Sequence, residues 1–237
     1  MIKFNGTSSG AYGVYVEKYP VRPIPARKQE IFSVPGRSGD VIVPEDAWEN
    51  VEQEYDIYLS AEKAGLPVVS AAVVAWLMQP GYCRLEDDYD SKIFRLANFA
   101  GPVDLQNILN AFGRATIKFS CQPQRFLKSG ETPVAVATTP GSITNPTAFA
   151  AQPLITVSGS GSGSVTIDSV TVTISAITNG MVLDCREGEA YAESGGVVTN
   201  LNDKVSGAFP VLSAGTCAVS FAGGVTGLSI LPRWFEL

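Results

Sequence analysis

The chain has 237 residues, of which 45% are hydrophobic and 17% charged, and its formal net charge is −6 at pH 7. This acidic balance argues against a nucleic-acid binder and against a protein that basic residues hold on anionic lipid. The sequence contains no histidine, which excludes catalytic schemes that depend on an imidazole and lowers the expectation of an enzyme.

Four widely separated cysteines, Cys83, Cys121, Cys185 and Cys217, form no CxxC pair and have no histidine partner. Zinc sites combine closely spaced cysteines or histidines, so no metal site is predicted from them. Few cysteines in a chain of this length indicate folding in a reducing compartment. We therefore expect free thiols that behave as small apolar side chains.

No segment has the pattern of a membrane span or a secretion signal. The longest apolar run, Val68–Met78, is shorter than the about 20 residues that cross a bilayer. The first ten residues, MIKFNGTSSG, lack the apolar core of a signal peptide. Synthesis in the cytoplasm without membrane insertion is the expectation.

The composition changes near residue 130, which predicts two domains, 1–130 and 131–237. The first contains 14 Lys and Arg with 15 Asp and Glu, whereas the second contains only 3 and 8. The segment 131–152 contains prolines at short intervals, and proline disfavours helix and favours extended chain. We therefore interpret 131–152 as a linker or a set of edge strands.

The first domain is predicted to be mainly β with one helix. The helix is Pro67–Gln79, because proline suits a first helical turn and Pro80-Gly81 ends the apolar pattern. Alternating apolar and polar residues are typical of half-buried strands. On this basis strands are predicted at Val41–Val43, Glu52–Ser60, Tyr82–Leu85, Lys92–Leu96 and Ala115–Cys121, with the third and fourth joined as a hairpin.

Two basic or glycine-containing segments of the first domain point to exposed structure. Arg22–Lys28 has prolines at positions 23 and 25. It could serve as a polyproline ligand, but an extended segment or an edge segment is favoured, since proline is tolerated on sheet edges. Val34–Asp40, with sequence VPGRSGD, has two glycines and predicts a turn.

An acidic turn, formed by Glu86, Asp87, Asp88 and Asp90, allows three interpretations. It could hold Ca²⁺, but the glycine of an EF-hand loop is missing, and a solvated turn is favoured. The same acids could serve glycoside hydrolysis, which needs two facing carboxylates that one turn does not supply. A glycosidase or lysin is therefore the third-ranked class of function.

The second domain is predicted to be an all-β sandwich of short strands separated by Gly, Ser, Asn and Asp. The segment Ser158–Ser164, with sequence SGSGSGS, lacks the lysine of a phosphate-binding loop, so a flexible hairpin or loop is favoured. The predicted strands are Leu154–Val157, Ser164–Ile167, Thr171–Ile174, Met181–Asp184, Ala218–Phe221 and Leu228–Leu231.

Two sets of short motifs follow one order along nearly the whole chain. The N-terminal set is Arg27–Glu30, Val34–Asp40, Trp76-Leu77, Gly81-Tyr82, Arg84-Leu85, Asp87–Asp90 and Phe119–Phe126. The C-terminal set is Asn145–Thr147, Pro153–Ile155, Gly159–Gly163, Asp184-Cys185, Phe209–Leu212, Ala214-Gly215 and Pro232–Trp234. The ordered set resembles the distal tail protein (Dit) family of long, non-contractile-tailed bacteriophages. Thr216 departs from the asparagine that the family tends to carry there.

The resemblance implies a structural virion protein at the distal end of the phage tail, with no catalysis and no cofactor. An N-terminal belt domain, β-rich with one helix, would assemble into a hexameric ring around the tail channel, and a C-terminal galectin-like β-sandwich would lie outside it. The ring would join the tail tube protein to the baseplate hub or tail-associated protein. Tape-measure protein would contact its lumen, and some relatives carry receptor-binding proteins.

The interface hypothesis is limited to the extended segment Arg22–Lys28 and the turn Val34–Asp40. The candidate ring or partner contacts are Arg27, Lys28, Pro35, Gly36, Arg37 and Asp40. The alternative function is a carbohydrate-binding module used in attachment to the host surface. In that case Tyr191 or Trp234 would stack on sugar faces, although a core position is favoured for Trp234, which lies in a closing strand.

Overall fold

The computed structural model describes residues 1–61, 65–102, 106–109, 112–178 and 180–237. The chain divides into two compact units, Met1–Arg125 with Leu237, and Phe126–Glu236. The prediction of a mainly β chain is confirmed, with a single α-helix in the part that is described. Within that same part, no helix combines the length and apolar character that a membrane crossing requires.

The first unit contains most of a nine-stranded antiparallel sheet, one helix and a separate two-stranded hairpin. Its elements are β1 (Ile2–Phe4), β2 (Thr7–Ser8), β3 (Val14–Val16), β4 (Arg27–Phe32), β5 (Val41–Trp48), β6 (Val51–Ser60), α1 (Leu66–Leu77), β7 (Cys83–Asp87), β8 (Ile93–Phe99), β9 (Gln106–Leu109) and β10 (Phe112–Leu127), which extends into the second unit. The strand order is β2-β1-β7-β8-β10-β6-β3, and β4 pairs with β5 in a separate two-stranded sheet.

The core of the first unit lies between this sheet and α1. The ring of Phe4 is fully buried and contacts Phe119 and Trp76, with ring centroids 4.9 and 6.3 Å apart. The Trp76 indole N–H donates to the Phe4 carbonyl oxygen at 3.1 Å, which satisfies its polar atom. Every second residue of β6 from Val51 is buried, as the alternation predicted.

The second unit is built on two long strands, β13 and β19, that pair along their length. The remaining strands are β11 (Val134–Val136), β12 (Gly141–Asn145), β13 (Leu154–Ile167), β14 (Val170–Ile177), β15 (Met181–Asp184), β16 (Glu189–Ser194), β17 (Val197–Asn200), β18 (Val205–Ser206), β19 (Gly215–Leu231) and β20 (Phe235–Glu236). The first half of β13 pairs with β15 and its second half with β14, so two groups of strands share one apolar core. Residues 131–152 contain β11 and β12, both paired with β19.

The prediction of a flexible hairpin or loop at Ser158–Ser164 is wrong. These residues lie inside β13 and pair with β19 through register shifts between Ser158 and Gly163. The physical reason is close backbone approach, since a Cβ on Gly224 of β19 would lie 1.7 Å from the Ser160 carbonyl oxygen. The glycines therefore permit two strands to touch, and four predicted short strands, two in β13 and two in β19, are two continuous ones.

Candidate functional site

The six candidate contact residues lie on one hairpin, which we call the arm (β4, β5 and the turn between them). Arg27 and Lys28 begin β4, whereas Pro35, Gly36, Arg37 and Asp40 lie in the turn. All six are exposed. The structure therefore places the six predicted residues together on one hairpin.

Local sequence explains the shape of the arm. The Arg37 N–H donates to the Val34 carbonyl oxygen at 3.1 Å, and Gly36 and Gly39 adopt φ of 81° and 82°, a conformation that glycine tolerates best. At the base, the Arg27 guanidinium lies 4.9 Å from the centre of the Trp48 ring, a cation–π contact. The arm is thus closed at both ends by its own residues.

Apolar side chains on both faces of the arm are left exposed. Ile31 pairs with Ile42 on one face, and Phe32 pairs with Val41 on the other. Ile31, Phe32, Ile42 and Val43 are 57%, 50%, 56% and 47% exposed. A hairpin with an apolar surface on each side needs another surface to cover it. Sequence reasoning missed this property, because the run Val41–Val43 has the composition of a strand that its own domain buries.

The helix presents a second exposed apolar surface. The predicted helix at Pro67–Gln79 is confirmed as Leu66–Leu77. Its inner side contributes Trp76 and Leu77 to the core, whereas Val68, Val74 and Met78 are more than half exposed. We call these last three residues the outer face of α1. The helix sequence carries no charged residue, so this face offers only apolar contact.

The acidic turn is organised by protein groups. The Asp87 Oδ1 atom accepts the backbone N–H groups of Tyr89 and Asp90 at 2.9 Å, and Oδ2 accepts the Tyr55 hydroxyl at 2.8 Å. Asp90 forms an ion pair with Arg125. Across the described ranges no cluster of three or more His, Cys, Asp or Glu side chains is placed to hold a metal ion.

In the second unit, Trp234 is 5% exposed and belongs to the apolar core, which confirms the interpretation of this residue as a core side chain. Tyr191 lies on β16 and is partly exposed. A buried Trp234 cannot form a sugar-stacking surface.

Arg233, which precedes Trp234 in the chain, donates two hydrogen bonds to Asp184, at 2.7 and 3.0 Å. Burial opposes ionisation of Asp184, but these bonds and the backbone N–H of Arg186 leave the pKa of its carboxyl lowered.

The four thiols are free in the structure. Cys121, Cys185 and Cys217 are buried, whereas Cys83 is partly exposed. Burial raises the pKa of the Cys121 and Cys185 thiols to about 12. A thiol with so high a pKa is a poor nucleophile and a poor metal ligand at neutral pH, so these cysteines act as apolar side chains, as predicted.

Comparison with known proteins defines the fold. No family model matches the sequence, and no curated protein matches it. Among solved structures, the chain has the fold of a component of a phage hub adsorption apparatus. That structure is the Dit protein (gp 19.1) of phage SPP1, described as a paradigm of the hub adsorption apparatus of phages that infect Gram-positive bacteria. The TM-score is 0.77 at 12% identity, over 100% of this chain and 98% of that one.

The predicted resemblance to the distal tail protein family is therefore confirmed at the level of the fold. It extends over both units, because the alignment covers the whole chain. At this low identity the likeness concerns the fold alone, and the role of individual residues has to be argued from their own geometry.

Proposed function

We propose that this chain is a structural component of a phage tail tip, which forms a ring of six copies between the tail tube and the baseplate hub. The observation that carries the proposal is the exposed, two-faced apolar arm on a chain with the Dit fold. Catalysis has no part in this role, and the buried cysteines are accounted for by packing.

Ring formation by a rotation axis requires two different surfaces on each copy, one of which meets the other on the next copy. The first unit has two such surfaces, the arm and the outer face of α1. We assign the arm of one copy to the outer face of α1 on its neighbour. Full burial of a large apolar side chain contributes about 1.5–3 kcal/mol, so each half-exposed arm residue would gain about 1 kcal/mol.

Charged residues at the tip would set direction and register. Arg37 and Asp40 lie within four positions of each other in the turn, and Lys28 follows Arg27 at the base. Exposed charges contribute little to affinity but favour one orientation over others. The tube protein, the hub protein and the tape-measure protein are the partners that this role implies, and receptor-binding proteins are further candidates at the periphery.

The experiment is the solution mass of the full-length chain, measured by light scattering after size exclusion over a range of concentrations. We expect the wild type to assemble, and the double variant Ile31→Asp/Phe32→Asp to remain a monomer with an unchanged melting temperature. The matched control is Val197→Asp, because Val197 is 65% exposed and belongs to β17 of the second unit.

Met78→Asp, at the residue that caps the C-terminal end of α1, tests the receiving surface and should also weaken assembly. An arm variant that assembles like the wild type would contradict the role of the arm. If the arm variant is monomeric while Met78→Asp assembles normally, the arm contacts a surface other than α1. A wild-type chain that is monomeric at every concentration, alone and with purified tail tube protein, would contradict the ring.

A further inference from the structure

A cavity of about 240 Å³ in the first unit has a mixed lining, in which buried polar side chains lie beside apolar ones such as Leu85 and Ile93. Its lining comes from the segment that precedes the arm and from β6, β7, β8 and the end of β10. Gln53, Arg95 and Arg125 line it and are only 4%, 7% and 5% exposed. Burying such groups costs free energy unless they are paired.

The strand pattern shows that these residues replace core positions. On β8 the buried residues are Ile93, Arg95 and Ala97, so an arginine occupies the middle of an apolar face. Gln53 has the same relation to its neighbours Val51 and Tyr55 on β6. Gln53 and Arg95 thus place polar side chains at two positions on the buried face of the sheet.

Among the residues that the structure describes, one buried donor in the lining of the cavity has no acceptor. Asp87 accepts the Tyr55 hydroxyl and two backbone N–H groups, and Asp90 pairs with Arg125. The Nη1 atom of Arg95 is buried and has no hydrogen-bond partner. Burial also lowers the pKa of the Arg95 guanidinium. An unpaired buried cation of this kind is the group that an incoming anion stabilises.

Two tyrosine rings form part of the cavity lining. Tyr19 and Tyr89 both line it, with ring centroids 4.5 Å apart, and the Tyr19 hydroxyl donates to the Tyr89 carbonyl oxygen at 3.2 Å. Tyr19 is 71% exposed, so its ring is available to a ligand. Exposed tyrosines with polar groups behind them suit ligands that have one apolar face and several hydroxyls.

We propose that this cavity binds an acidic monosaccharide, a pyranose with one carboxylate such as a hexuronate. The carboxylate would pair with Arg95, which lines the cavity. Its guanidinium would have to rotate, because Nη1 is closed to solvent in the present arrangement. The hydroxyls would donate to the carboxylates of Asp87 and Asp90, whose oxygens can accept further bonds. The ring would lie against Tyr19.

Size and charge both favour this ligand class. The cavity is below the 300–1,000 Å³ of typical drug-sized sites, which suits a single sugar ring. A simple dicarboxylate would meet Asp87 and Asp90 with no donors to offer them. A neutral sugar would satisfy these acids but leave Arg95 unpaired. A ligand with both a carboxylate and hydroxyls satisfies both kinds of lining group.

The test measures the affinity of the full-length chain for glucuronate, glucose and succinate by NMR titration or calorimetry. We expect glucuronate to bind at least about tenfold more tightly than either control. Glucose lacks the carboxylate that forms the charge-assisted bond, and succinate lacks the sugar ring and its contacts. Equal binding of glucose overturns the role of Arg95. Equal binding of succinate overturns the sugar ring, and no binding of glucuronate overturns the proposal.

Arg95→Met keeps the length of the side chain and removes the charge. We expect glucuronate binding to fall about tenfold or more, with a melting temperature equal to or above the wild type, because an unpaired buried cation is removed. The control is Arg114→Met, an exposed arginine paired with Glu17 outside the cavity, which should not change binding. Unchanged binding by Arg95→Met overturns the proposal.

If Arg95→Met fails to fold, Tyr19→Ala takes its place, since an exposed rim residue can be removed without opening the core. It should weaken glucuronate binding and leave assembly of the ring unaffected. The cavity proposal is independent of the ring, because the arm variants described above should bind glucuronate as the wild type does.

Discussion

Gly224→Ala is the sharpest test of how the second unit is built. Gly224 lies on β19 and faces Ser160 on β13, where a Cβ would stand 1.7 Å from the Ser160 carbonyl oxygen. Ordinary Cβ contacts begin near 3.4 Å, so the two strands would have to separate by more than 1 Å. Gly227, three residues further along the same strand, is the matched control, because its Cβ would lie 3.6 Å from the nearest atom.

The magnitude follows from the identity of the obstructing atom. Overpacking that flexible side chains can absorb typically costs about 1–3 kcal/mol. Here the obstruction is backbone within a paired strand, so we expect Gly224→Ala to lower the free energy of unfolding by about 3 kcal/mol or more. For a domain of about 100 residues that corresponds to a fall of about 10 °C or more in Tm. Gly227→Ala should change it by less than about 1 kcal/mol.

The assay is thermal unfolding of the full-length variants by circular dichroism, with amide hydrogen exchange over β13 and β19. Gly224→Ala should speed exchange in Ser158–Ser164 and in the facing part of β19. If both alanine variants unfold at the same temperature and exchange alike, the strands do not approach as described. The segment would then be the loop that its composition suggests.

Two further predictions concern ionisable groups. Asp184→Asn should destabilise the chain by about 1–3 kcal/mol at pH 7, because it breaks the paired bonds to Arg233. The pKa of Asp184 is lowered in the folded state, so its contribution to the free energy of unfolding is complete at neutral pH and is lost as the pH falls below about 4. Melting temperatures measured from pH 7 to pH 3 should therefore show the variant and the wild type converging. A constant difference between them would contradict this reasoning. At pH 8, a thiol reagent should label Cys83 first, since burial raises the pKa of Cys121 and Cys185 to about 12. Peptide mass spectrometry after timed pulses measures the order, and equal rates for Cys83 and Cys121 would refute it.

Local pattern was sufficient for much of the first unit. Alternating residues placed β6, and the paired runs around the acidic turn placed the hairpin of β7 and β8. Pro67 and Pro80-Gly81 bounded the helix to within two residues. These features depend on neighbours in sequence, because side-chain period and proline geometry act over a few residues. The ordered motifs also predicted the Dit fold, which the structural likeness confirms.

Contacts between distant strands lay beyond local pattern. The composition SGSGSGS is compatible with a flexible loop and with a strand that touches another backbone. Pairing with β19, some sixty residues away, decides between them. The same holds for the arm, where Val41–Val43 is read as a strand but its exposure depends on what the rest of the domain covers.

The sequence by itself determined the mainly β class, the position of the helix to within two residues, and the burial of Cys121 and Cys185 as apolar side chains. Only the tertiary structure decided that the arm is apolar on both faces and exposed, and that Arg95 occupies a core position without an acceptor. The reason is physical: secondary structure follows from short-range sterics and side-chain period. Burial and unpaired charge depend on which distant residues the fold brings together.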